Sequence, residues 1–297
     1  MLRPIPMAHV DLDGAWPQGI LARHVDARGW GPKLRYSATP ELLDSFYADI
    51  RENLGHFTLF GSGDFHHLSA VWLRGLEAPT TLISFDNHPD WDVRPPDWGC
   101  GGWINRALEL PNVSRAAVWG CGNFELNWPH RLFGNQVALA AGRLEVHPWA
   151  ERIGRSARKR WPGLAREHWR ARFSQFAKTL AGERVYVTVD LDCLQKGEAV
   201  TNWESGLFTA SDIAWALHDL HGAGAEIVGG DLCGAWSRPR HARFKQWLSS
   251  YLDHPRQPAV DPTEAARVNE RAMRIIWRAL TAGYEEHAGA DEQYAHP

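Results

Sequence analysis

Two short stretches of this chain hold residues whose types and spacing can do chemistry. In Ser84-Phe85-Asp86-Asn87-His88-Pro89-Asp90-Trp91-Asp92, the residues Asp86, His88 and Asp90 alternate with Asn87 and Pro89. In extended backbone, positions i, i+2 and i+4 project to one side, so two carboxylates and an imidazole converge, and Pro89 stiffens the turn. Further on, Val185-Tyr186-Val187-Thr188-Val189 delivers Asp190-Leu191-Asp192-Cys193, a second carboxylate pair at i, i+2. A histidine from His66-His67 brings the set to four carboxylates and two imidazoles. Alone, the first stretch also suits a surface turn; the second weighs against that. Side chains of this kind gathered at one place repel one another unless about two divalent cations neutralise them. Oxygen donors with imidazole suit Mn²⁺ best, and Fe²⁺, Zn²⁺ and Ni²⁺ are compatible.

The elements that must position these groups read as alternating strands and helices. Ala8 to Gly14 is a first strand ending in an acidic turn, with Asp11 and Asp13 assigned to the turn rather than to a metal. Thr39 caps a helix with Pro40 at its first position and Leu42, Leu43, Phe46 and Ile50 on one face. Phe57 to Phe60 is a strand running into Gly61-Ser62-Gly63-Asp64-Phe65-His66-His67, followed by a helical pattern over Leu68 to Leu73. Thr81-Leu82-Ile83 is the strand before the first motif, and a loop from Val93 to Trp103 follows it. Ala116 to Cys121 is a strand; Val137 to Ala140 and Leu144 to Val146 are shorter strand candidates. Thr209 caps a helix, with Asp212 three residues on. Ala225 to Gly230 is the last core strand, ending in Asp231-Leu232-Cys233-Gly234. Two helices close the chain, the second capped by Asp261 with Pro262 at N1. Such alternation predicts a three-layer α/β/α sandwich around a mainly parallel sheet. The polar clusters all follow strands, so they share the carboxyl edge where ligands bind.

One large α/β domain is expected over 1–255, a packed C-terminal helix over 256–284 and a frayed tail over 285–297. A formal charge of -3 gives no reason to expect nucleic acid or a membrane as partner. The basic run from Arg152 to Arg172 is read as a solvated helix face with Leu164, Trp169, Phe173, Phe176 and Leu180 as its apolar stripe. No apolar stretch approaches the ~20 residues of a membrane span, and no signal peptide is evident, so a cytoplasmic protein acting on a small molecule is expected, with self-association open. The four cysteines, Cys100, Cys121, Cys193 and Cys233, form no CxxC pair, which argues against structural zinc and disulfides. Sixteen tryptophans point to a Trp-filled core, with Trp91, Trp98, Trp103 and Trp203 as candidate pocket walls.

Gly63-Asp64-Phe65-His66, Asp86-Asn87-His88-Pro89-Asp90 and Asp190-Leu191-Asp192, in this order and each after a strand, resemble the motifs of the ureohydrolases (arginase, agmatinase, formiminoglutamase). The resemblance spans about residues 55 to 235 and implies a fold related to that of deacetylases. It implies that His66, Asp86, His88, Asp90, Asp190 and Asp192 hold two metals, with His67 as the other choice for the first ligand. It also implies hydrolysis of a linear C–N bond in a guanidino, amidine or amide substrate, with Asp90 steering the attacking hydroxide. The chain departs from the family pattern in three places. Leu194-Gln195-Lys196 replaces an Asp-Pro, Gly234 stands where a glutamate grips the guanidinium, and the proton-shuttling histidine has no match, Cys100 falling near it. Glu204, with Asn202 in the same loop, is the candidate substitute for substrate binding. A single-metal, deacetylase-like alternative makes the tandem His66-His67 an acid–base pair, with His67 catalytic; a third alternative is a metal-binding protein without activity.

Overall fold

The computed structural model describes residues 7–94, 97–161, 163–254 and 259–293, with 283–293 described by backbone alone. Ten strands occur among them: β1 (Met7–Asp11), β2 (His24–Asp26), β3 (Ser37–Ala38), β4 (Phe57–Phe60), β5 (Thr80–Phe85), β6 (Trp98–Gly99), β7 (Val113–Trp119), β8 (Leu144–His147), β9 (Arg184–Asp190) and β10 (Glu226–Cys233). Eight of them form one sheet in the order β2-β1-β4-β10-β9-β5-β7-β8, every pair parallel, while β3 and β6 pair antiparallel outside it.

The sheet is buried on both faces, and the period of two decides which residue enters which layer. Val185, Val187 and Val189 of β9, with Ile83 and Phe85 of β5, pack into one core with Phe173 and Phe176 of helix Trp169–Lys178, Leu217 and Leu220 of helix Ala210–Gly222, and Ile276 and Leu280 of helix Pro262–Gln293. Tyr186 and Leu82, one residue out of step, join the opposite core with Leu43, Phe46 and Ile50 of helix Pro40–Ile50 and Ile104 of helix Trp103–Glu109. The expected α/β/α sandwich is therefore the observed one.

Local signals hold where a cap fixes the start of a helix. Thr39 accepts a hydrogen bond from the Leu42 amide, and Thr209 and Asp212 form a reciprocal capping box. Val137–Ala140, expected as a strand, is instead part of helix Gln136–Ala140, because the Asn135 side chain accepts from the Ala138 amide. The basic run holds a short helix, Arg155–Arg158, and the longer one begins only at Trp169; Leu164 precedes it, bridged to Trp149. The last helix continues to Gln293, past residue 285 where a tail was expected.

Because all the sheet strands are parallel, their carboxyl ends lie along one edge. The turns after β4, β5 and β9 emerge there, close to the end of β10, which lies between β4 and β9.

Candidate metal centre

The six expected ligands converge at that edge. His66 comes from a 3-10 turn, Gly63–Leu68, directly after β4. Asp86, His88 and Asp90 leave β5, and Asp190 and Asp192 leave β9. His66, Asp86 and Asp90 make one group of donors that could surround an ion, and Asp86, His88 and Asp192 make a second, so Asp86 is common to both. Asp190 adds to the first group, its Oδ2 lying 3.6 Å from His66 Nδ1.

The two histidines are oriented alike. His66 Nδ1 lies 3.0 Å from Asp86 Oδ2 and 3.4 Å from Asp90 Oδ2. Neither that nitrogen nor Asp86 Oδ2 has a hydrogen-bond partner among the described residues. Its other nitrogen, Nε2, is 2.9 Å from Thr188 Oγ1. The Thr188 hydroxyl donates in turn to Asp231 Oδ1 at 2.5 Å, so its oxygen accepts the Nε2 proton and the Nδ1 lone pair faces the carboxylates. Asp231 also takes hydroxyl protons from Ser69 at 3.0 Å and Tyr186 at 2.8 Å. His88 repeats the pattern: Nδ1 is 2.8 Å from Asp192 Oδ2 and 3.5 Å from Asp86 Oδ1, while Nε2 is 3.5 Å from Glu204 Oε2.

A cation pair fits this donor set. Oxygen and nitrogen ligands sit about 2.0–2.2 Å from a transition-metal ion, so two donors sharing one ion are roughly 2.9–3.6 Å apart at angles of 90–110°. The Nδ1–carboxylate distances of 3.0, 3.4 and 3.6 Å match. Charge agrees with geometry. Four buried carboxylates face two imidazoles, and uncompensated buried ions cost several kcal/mol each. Burial, reinforced by the Asp86 charge, pushes the Asp90 carboxyl up to about 7. Burial and then Asp190 raise Asp192 well above the carboxylate range. Burial opposes the charge on His66, but Asp86, Asp90 and Asp190 outweigh it and raise the imidazole.

Backbone and neighbouring side chains lock the ligands. The Asp86 carboxylate accepts from the His88 amide at 2.7 Å, Asp190 from the Asp192 amide at 2.9 Å, and Asp192 from the Asn87 amide at 3.1 Å. Asp90 has φ +46°, a left-handed conformation rare outside glycine, and its Oδ2 accepts from Trp103 Nε1 at 2.6 Å. Gly234, at φ +101°, passes so close to Asp190 that a Cβ there would collide with Oδ1, so no larger residue fits.

A cavity of about 690 Å³ opens over the ligands, with Trp91, Trp203 and Glu204 among its walls. Asp92, Asp97, Glu125 and Asp253 add acidity, against Arg94, Lys245 and His130, and Arg94 is paired with Asp92. Glu125 Oε1 accepts from Asn123 at 3.1 Å; Oε2 is buried without a hydrogen-bond partner among the described residues, and burial, reinforced by Asp90, pushes the carboxyl up to about 8. Helix Phe244–Asp253 supplies Lys245, Ser249 and Asp253 to the far wall.

Three expectations are corrected. His67, a candidate catalytic residue, is fully buried against the backbone of Leu34 and Asp64, does not line the cavity, and is held neutral by burial down to about 3. Neither the first-ligand alternative nor the deacetylase-like pair is supported by that position. Asn202, a candidate for substrate binding, is buried and occupied by Ser237, donating to its carbonyl at 3.0 Å and accepting from its amide at 3.1 Å. Asp231, expected just past its strand, lies inside β10 beside Thr188. Glu204 does border the cavity, half-exposed and next to His88. Cys100 lines the cavity as well, but burial, then Asp64, raises its thiol, so it is a packed cysteine rather than a nucleophile. Thr188 and Glu125 escaped the sequence, and Trp103, expected as a pocket wall, instead holds Asp90 from outside the cavity lining; an i, i+2 step from Thr188 to Asp190 in one strand was the available clue to the first.

No family model matches the chain. An uncharacterised protein of Thermotoga maritima is 28% identical over 202 residues, 68% of this chain and 66% of that protein, so the chain spans just under two thirds of this relative's length. Among solved structures, formimidoylglutamase from Bacillus subtilis superposes with a TM-score of 0.53 at 12% identity, covering 93% of this chain and 86% of that one. Arginase from Bacillus cereus gives 0.53 at 13% identity, covering 91% and 97%. The agmatine ureohydrolase of Thermoplasma volcanium gives 0.51 at 13%, covering 95% and 91%. At such identities the likeness defines the fold, and the fold of this chain is that of the ureohydrolases.

Proposed function

We propose that this chain is a hydrolase of a linear, non-peptide C–N bond that works with two divalent cations on a small amidine or guanidino substrate. The observation that carries this is the matched pair of histidines, each with Nε2 taken by a neighbour and Nδ1 aimed at carboxylates that meet at Asp86. The names of the similar structures (arginase, agmatine ureohydrolase, formimidoylglutamase) support the reaction class.

His66, Asp86, Asp90 and Asp190 would hold one cation, and Asp86, His88 and Asp192 the other. Bound there, the pair would supply a water acidic enough to attack at neutral pH and a field for the charge developing at the carbon. Asp90, pinned through Oδ2 by Trp103, keeps its other oxygen for taking a proton from the attacking water and passing it to the departing nitrogen. Glu204 fixes His88 and presents its charge to the cavity, where Trp203 stands against the His88 ring at 5.2 Å. The acidic wall favours a cationic substrate over a neutral amide. Since Gly234 leaves no room for a side chain over Asp190, the cationic group must be gripped from the Glu204 side. Oxygen and imidazole donors accept manganese.

Metal analysis of purified protein loaded with Mn²⁺ should find close to two ions per chain, and Asp190→Ala should lose both the ions and any hydrolysis of agmatine, arginine or formamidine. Folded protein that retains less than one ion after loading would overturn the proposal.

A further inference from the structure

Beyond the four carboxylates and two histidines of the candidate site, a fully buried sulfur lies within reach of the first donor group. Cys233 ends β10, paired in register with Asp190 on the neighbouring strand, so the two side chains lie side by side. Its Sγ is 3.5 Å from Asp190 Oδ2, and Cys233, Asp190 and a His66 ring nitrogen form a third group of mutually close donors. A thiolate about 2.3 Å and a carboxylate oxygen about 2.05 Å from one ion, at a tetrahedral angle, stand roughly 3.6 Å apart. The observed separation suits two ligands sharing an ion as well as it suits the thiol donating a hydrogen bond to Asp190 Oδ2. A thiol is also a weak hydrogen-bond donor, and a serine would serve Asp190 better if donation were its only task. Two neighbouring backbones clear the space: a Cβ on Gly63 would come within 2.6 Å of Asp190 Oδ2, and one on Gly234 would strike Oδ1.

We infer that Cys233 is a sulfur ligand of the cation held by His66 and Asp190, so that this half of the site prefers a softer ion, zinc or ferrous iron, to manganese. This rests on the cation-site proposal above and extends it to the choice of metal. On binding, Sγ donates a lone pair to the ion and its proton leaves to solvent; no electron is transferred. His66 Nδ1, buried without a hydrogen-bond partner among the described residues, independently marks this position as one that awaits an ion. Oxygen and nitrogen ligands already rank the first-row ions with manganese weakest, and a thiolate adds a further preference for the softer ones.

Cobalt tests this directly, because a thiolate bound to Co²⁺ gives a sulfur-to-metal charge-transfer band in the near ultraviolet, which oxygen and nitrogen ligands do not. Metal-free full-length protein titrated with Co²⁺ should develop this band; Cys233→Ser and Cys233→Ala should lose it while still binding cobalt. Cys100→Ser, which alters the cysteine that lines the cavity, should keep it. In competition, wild type should take up Zn²⁺ over Mn²⁺, and Cys233→Ser should shift the ratio towards Mn²⁺. Cobalt bound without the band, or a band that persists in Cys233→Ser, would overturn the ligand assignment and leave the cation site standing. A folded protein that binds no cobalt would remove both.

Discussion

Thr188→Val is the sharpest test of how the first cation position is built. Valine matches the shape of threonine, so the buried site loses a hydroxyl and gains no cavity. In the wild type this hydroxyl accepts from His66 Nε2 at 2.9 Å and donates to Asp231 at 2.5 Å, which fixes the tautomer that frees Nδ1. With valine, the Nε2 proton has no acceptor, the ring is free to exchange tautomers, and Asp231 keeps only the Ser69 and Tyr186 hydroxyls. Losing a partner that orients a ligand typically lowers metal affinity 10–100-fold, or about 1.4–2.8 kcal/mol. Competition against a chelator of known affinity, with Mn²⁺ and Zn²⁺ in turn, should show that loss in Thr188→Val and near wild-type binding in Thr188→Ser. Equal affinity in both variants, with unchanged thermal midpoints, would refute the tautomer relay and with it the assignment of Nδ1 as the ligand atom.

Two other perturbations follow from the same geometry. Gly234→Glu should not create a guanidinium site: at φ +101° and with Asp190 in the way, the variant should bind less metal than wild type, and Gly234→Ala should show the same defect, both measurable by metal content. Asp64→Asn should destabilise the fold by about 3–5 kcal/mol, because Arg35, almost wholly buried, loses the carboxylate that its Nε contacts at 2.6 Å. Burial opposes the Asp64 charge, but Arg35 and His254 outweigh it and hold the carboxyl below its usual range. A depressed carboxylate stabilises above its unfolded value and is lost as pH falls through the folded one, so denaturant titrations should show a constant gap between Asp64→Asn and wild type above about pH 4 that narrows only in stronger acid.

Much of this site was legible because its chemistry is local. Asp86-Asn87-His88-Pro89-Asp90 and Asp190-Leu191-Asp192 each place donors on one side of a few residues of extended chain, and strand order needs only to bring two such segments together. Caps such as Thr39 and Thr209 are equally local, and both start helices as read. What stayed hidden depends on pairing across the sheet. Asp231 matters because register sets it beside Thr188, and nothing in Asp231-Leu232-Cys233-Gly234 announces that neighbour. Cys233 meets Asp190 by the same register. The choice between His66 and His67 turns on the twist of a 3-10 turn, in which neither the helical nor the strand period applies. Val137–Ala140 is a short apolar run, where periodicity cannot separate strand from helix and a single asparagine side chain decides.

The strand order has a consequence for how the molecule comes into being. β10, the last core strand to be synthesised, does not add to an edge; it slots into the middle, between β4 and β9. Until it arrives, the halves carrying His66 and Asp190 have no shared hydrogen-bond ladder to hold them at ligand distance. A chain emerging from the ribosome therefore makes its donors early and the candidate metal pocket late, and the closing strand brings with it the carboxylate that braces the first histidine.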